Sequence, residues 1–247
     1  MSSDIGQDIP LIDHHCHGVV PVDLTSEQFE DAISEAYAPA PAGTSHWDKP
    51  VALSIRRWCA PVLDLDKFAA PEDYIARRRE LGAAEVNKRF LRAGGFEALL
   101  VDSGNRPEEL CTVEELGEIA GVPSREVVRM ESVAERVAAS GGITAAGYAD
   151  AFEAVLRDAL HDNVVGLKTV AAYRSTLAID YAPPGPGEVA RAAGDWLAEV
   201  EKSGNARITD SVLERHLIWT GADIAREKGF PVQFHIGIGD PDIELNK

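Results

Sequence analysis

Hydrophobic and polar positions along the chain change period several times, and the changes predict the elements. Five short aliphatic runs read as strands: PLIDHHCH at 10–17, EALLVD at 97–102, EVVRME at 126–131, NVVGLKTV at 163–170 and PVQFHI at 231–236. Between them the apolar spacing is helical. Tyr148, Phe152, Val155, Leu156, Ala159 and Leu160 share one face, and so do Val189, Ala193, Trp196, Leu197 and Val200. Thr112 with Glu115 forms a capping box that Gly121 closes, Ser132 with Glu135 and Ser211 with Glu214 read as two more, and a helix at about 211–228 stops at Gly229.

Strand, helix, strand, helix is the pattern of a parallel sheet covered by helices. Residues 18–95 depart from it. Thr25 and Gln28 cap one helix there, Pro71 opens another, and APAPAG at 38–43 is a loop. This stretch is expected to be a mostly helical insertion after the first strand of a single domain, 1–247.

Composition narrows the partners. Lys plus Arg number 24 against 41 Asp plus Glu, a net charge of −17, with no basic stripe for nucleic acid or an anionic membrane. Cys16, Cys59 and Cys111 are scattered, and the N-terminal MSSDIGQDIP has neither a basic nor an apolar signal region. A reducing, cytoplasmic setting and a small-molecule substrate are the expectation.

Chemistry gathers where the strands end. Successive strand side chains alternate faces, so Asp13, His15 and His17 are expected on one face, and Ile12, His14 and Cys16 on the other. A His-x-His pair suits one cation, whereas Cys16 should point to the helix layer and not ligate. Lys168 interrupts an apolar strand, which is costly without a partner. His235 ends the fifth strand, Asp102 closes the second, and Arg129 and Glu131 close the third as a supporting polar network. Tyr173 and Arg174 follow the fourth strand and are candidates for contacting an anionic substrate. His14, His46, His161 and His216 read as ordinary, and Trp58, Trp196 and Trp219 as helix-face residues. The carboxyl ends of parallel strands are where α/β proteins bind ligands.

Taken together, IDHHCHG, VVGLKTVAAYRSTL and PVQFHIGIGDPD, in that order, resemble the amidohydrolase superfamily, in particular the amidohydrolase-related branch with nodulin/glutamine-synthetase-like members. The resemblance implies a (β/α)8 TIM-type barrel. His15, His17 and His235 would be metal ligands, and Lys168 would match a fourth-strand lysine that some relatives carboxylate. It further implies a divalent ion, zinc or else manganese or iron, that activates water against a C–N bond of a small substrate. The family's sixth-strand histidine and eighth-strand aspartate have no match before the sequence stops at DPDIELNK. The expectation is therefore an incomplete barrel of about five strands, truncated after the fifth, with open edge strands that call for a homo-oligomer or another chain. Lyase or isomerase chemistry on the same scaffold, a non-catalytic module and an inactive fragment are the alternatives.

Overall fold

The computed structural model describes residues 9–34, 40–178, 180 and 182–237. Residues 38 and 39 of the expected loop and the terminal DPDIELNK lie outside them. The described residues form an α/β fold whose strands follow one another in the order β1-β2-β3-β4-β5. These are β1 (Leu11–Cys16), β2 (Phe96–Asp102), β3 (Ser124–Arg129), β4 (Val164–Thr169) and β5 (Val232–Phe234). The pairings β1–β2, β3–β4 and β4–β5 are parallel. Sequential parallel strands with helices between them are the build of consecutive (β/α)-barrel units.

The chain divides into two compact units, Met1–Val101 with Arg106–Ser124, and Asp102–Asn105 with Arg125–Lys247. In the first, β1 and β2 are accompanied by α1 (Ser26–Ala32), α2 (Pro50–Ser54), α3 (Pro71–Leu81), α4 (Ala83–Ala93) and α5 (Val113–Ala120). The reciprocal bonds of Thr25 with Gln28 and of Thr112 with Glu115 begin α1 and α5 as the spacing predicts. Residues 18–95 carry the first four helices and a core of their own, built on Phe29, Trp47, Leu63, Tyr74 and Val86. Trp58 sits in a π-helical turn, Ile55–Cys59, and is exposed rather than packed on a helix face.

The second unit packs α6 (Met130–Ala139), α7 (Tyr148–Asp158), α8 (Pro186–Ser203) and α9 (Ser211–Lys228) with β3, β4 and β5. Tyr148, Phe152, Leu156, Leu167, Leu213, Leu217 and Ile224 lie at its centre. Each such side chain contributes about 1.5–3 kcal/mol by leaving water. β4 is buried on both faces, as parallel strands under helices are.

Three local expectations are corrected. β3 ends at Arg129, and α6 starts at once with Met130, so Glu131 belongs to a helix and not to the strand end. Ser132 and Glu135 form no capping box, because the first turn of α6 has already begun. Ser132 instead donates to the Gly104 carbonyl, and the Glu135 carboxylate accepts from the Ile208 N–H. At α9 the cap is Asp210, whose carboxylate accepts from the N–H groups of Val212 and Leu213, while Glu214 turns inward.

Candidate functional site

In the first unit, the end of β1 departs from strict alternation. Asp13 pairs with Leu99 but Cys16 pairs with Val101, so three steps on β1 oppose two on β2 and a bulge falls at His14–His15. Bulges re-aim side chains and often occur beside functional sites. Asp13 fixes this one, its Oδ1 accepting the His15 N–H at 3.1 Å. The His15 and His17 rings face each other edge-on with centroids 6.5 Å apart. Two imidazoles on one zinc, each nitrogen about 2.0–2.1 Å from the ion, have centroids roughly 5 Å apart at a tetrahedral angle. As placed, the two rings stand farther apart than that. Cys16 packs against the cluster of Leu99, Val101 and Leu116, with its thiol 3.5 Å from the Leu100 carbonyl.

In the second unit, Asp102 collects two cations. Its Oδ2 accepts from Arg129 Nη2 at 2.5 Å and Nε at 3.1 Å, and Lys168 Nζ stands 2.9 Å away. Arg129 and Lys168 are register partners on β3 and β4, which explains why both reach the same carboxylate. Lys168 is completely buried, and Asp102 is almost so. Burial alone would raise the Asp102 carboxyl, but the charges of Arg129 and Lys168 outweigh it and hold the group below its ordinary range. Its second oxygen accepts the Gly104 N–H at 3.0 Å.

The turn after β4, Ala171–Tyr173, and its C-cap Arg174 carry the two expected substrate contacts. The Tyr173 ring lies 5.0 Å from the His235 ring, and the Tyr173 carbonyl accepts from Arg207. The Arg174 guanidinium is nearly buried and stands 3.2 Å from Glu135 Oε1. Burial lowers its pKa, an effect the Glu135 charge opposes. Glu131, expected beside Arg129, turns to this turn instead. Its Oε1 accepts from the Thr169 hydroxyl at 2.5 Å and from the Val170 N–H at 2.8 Å.

The structure thus joins Asp102, Arg129 and Lys168, and separately Tyr173 and His235. Among the described residues, no group of three His, Cys, Asp or Glu side chains stands close enough to hold a metal ion. Sequence reasoning missed Glu214, which is fully buried against Glu131. The signal was there: Leu213, Glu214, Leu217, Ile218 and Gly221 form the buried stripe of α9, and a glutamate in such a stripe needs a reason.

No family model matches the chain. It is 24% identical over 269 residues to the protein fluG of Emericella nidulans, covering 96% of this chain and 30% of fluG. A crystal structure from Lactobacillus casei, of a protein named provisionally as a metal-dependent hydrolase, superposes with a TM-score of 0.71 at 26% identity. That match covers 97% of this chain and 61% of the Lactobacillus chain. The chain therefore spans about a third of one relative's length and under two thirds of the other's.

Proposed function

We propose that the chain is the metal-binding part of a hydrolase of the amidohydrolase type, acting on a C–N bond of a small substrate. The observation that carries this reading is the pair of facing imidazoles, His15 and His17, at the carboxyl end of a strand with a register shift there. The likeness to the Lactobacillus protein supports it. Zinc is the metal that histidine ligands favour, with manganese and iron as alternatives. Such an ion, when bound, polarises a substrate carbonyl and makes water a nucleophile at neutral pH.

The chain's own residues have simpler tasks. Asp13 locks the bulge that sets the direction of His15. Lys168 meets Asp102 through its Nζ. Arg129 holds Asp102 in place for that contact. Tyr173 and Arg174 meet the substrate from the turn after β4, Arg174 through whatever edge Glu135 leaves open. We further propose that the outer strands β1 and β5 are covered by a second copy of the chain.

Metal content measured on protein purified without chelator tests the reading. About one ion per chain is expected, with His15→Ala and His17→Ala each losing it while the circular dichroism stays that of the parent. A folded, metal-free parent sinks the hydrolase reading and favours a non-catalytic module.

A further inference from the structure

A cluster of acidic groups inside the second unit lies outside all of this chemistry. Glu131 on α6 and Glu214 on α9 are each fully buried. Glu131 Oε1 is satisfied by Thr169 and Val170, but Glu131 Oε2 and both Glu214 oxygens have no hydrogen-bond donor among the described residues. Two ionised carboxylates are acceptors only and cannot satisfy each other. One added proton changes that, since a protonated carboxyl donates to its neighbour and halves the buried charge. We propose that Glu131 and Glu214 share a single proton, and that this proton-bridged pair positions the turn carrying Tyr173 and Arg174.

The surroundings agree. From α6, Glu135 adds negative charge; from α7, the buried Tyr148 phenol is held protonated by its burial and by the charges of Glu214 and Glu135. Arg174 and, beyond it, Arg207 are the positive groups. Arg174 is committed to Glu135 at 3.2 Å and so cannot neutralise both inner carboxylates. Desolvation, followed by the charge of Glu131, pushes the Glu214 carboxyl up to about 9, and burial raises Glu131 as well. Between the ordinary glutamate value of 4.5 and about 9, the folded chain holds a proton that the unfolded chain has released. The pair's contribution to stability therefore falls as pH rises across that window. The link to the turn is direct, because the oxygen of Glu131 opposite the shared proton receives the Val170 N–H and the Thr169 hydroxyl, and Thr169 in turn accepts the Ala171 N–H. None of this depends on the reaction proposed above.

Infrared spectroscopy and amide exchange on the full chain test it between pH 5 and 10. Wild type is expected to keep a protonated-carboxyl carbonyl band at pH 7.5 that disappears as pH passes about 9, and Glu214→Gln to lack it. Protection of the Val170 and Ala171 amides, corrected for intrinsic exchange, is expected to fall about tenfold across the same transition in wild type. In Glu214→Gln, whose amide is a permanent donor, that protection should stay flat. If the variant fails to fold, the wild-type pH series decides alone. Absence of a band titrating above pH 7 overturns the shared proton, and unchanged protection across the transition overturns the positioning role.

Discussion

A lysine fully buried in a central strand has to be explained by its neighbours, and Lys168 is explained by Asp102. Removing one member of a buried ion pair leaves the other's charge uncompensated, commonly at about 3–5 kcal/mol. Lys168→Met is expected to cost about 3 kcal/mol in urea melts, near the low end because Arg129 still reaches Asp102. Asp102→Asn removes the anion both cations share and is expected to cost at least as much. The Asp102 contribution has a definite pH sign: with its folded pKa below the ordinary 3.8, it stabilises above that value and is lost as pH falls through the lower one. The same geometry predicts chemistry at Nζ. Protein equilibrated with 13C-bicarbonate should show no lysine carbamate signal by NMR, and a stoichiometric carbamate would mean that Asp102 had moved away.

At the scale of elements, the strands were legible because their aliphatic runs are short and bounded by glycine, proline or a helix cap. Parity along β1 was legible only in part, since nothing in LIDHHCHG announces that Asp13 folds back onto the His15 N–H and inserts a bulge. Capping boxes were read well where the chain leaves a loop, at Thr25 and Thr112. They were misread at Ser132, where the strand runs straight into the helix, and at Ser211, where Asp210 had taken the cap. Pairings between side chains distant in sequence, such as Asp102 with Lys168 or Glu131 with Glu214, are set by register and helix rotation and leave no local pattern. Gly18 shows how tightly one such junction is built. A Cβ there would collide with the Cys111 carbonyl oxygen, and that segment is pinned by the Cys111 N–H to Val19 O bond of 2.9 Å and by the Cys111 thiol accepting the Val19 N–H. Backbone cannot yield as a side chain does, so Gly18→Ala is expected to cost about 1–3 kcal/mol, readable from urea melts.

Over the whole molecule, two outer strands and a large net charge pull in opposite directions. β1 presents Leu11 and Ile12 to solvent, while β5 presents Phe234, followed by Ile236 just beyond the strand. Outer strands with exposed apolar side chains invite pairing with another chain. Each copy, however, carries a formal charge of −17, and two such copies repel across any interface. At ~0.01 M ionic strength that repulsion reaches roughly 30 Å, and by ~0.15 M it is screened within about 8 Å. Association through the strand edges should therefore strengthen as salt is added, the opposite of an assembly held by ion pairs. Light scattering is expected to give a mass near the 26.6 kDa chain at low salt and a multiple of it at physiological salt. Leu11→Lys and Phe234→Lys, which place charge on the outer strands, should each keep the mass near one chain at both salt concentrations. A wild-type mass of one chain throughout would mean that the exposed side chains of β1 and β5 are tolerated without a second copy.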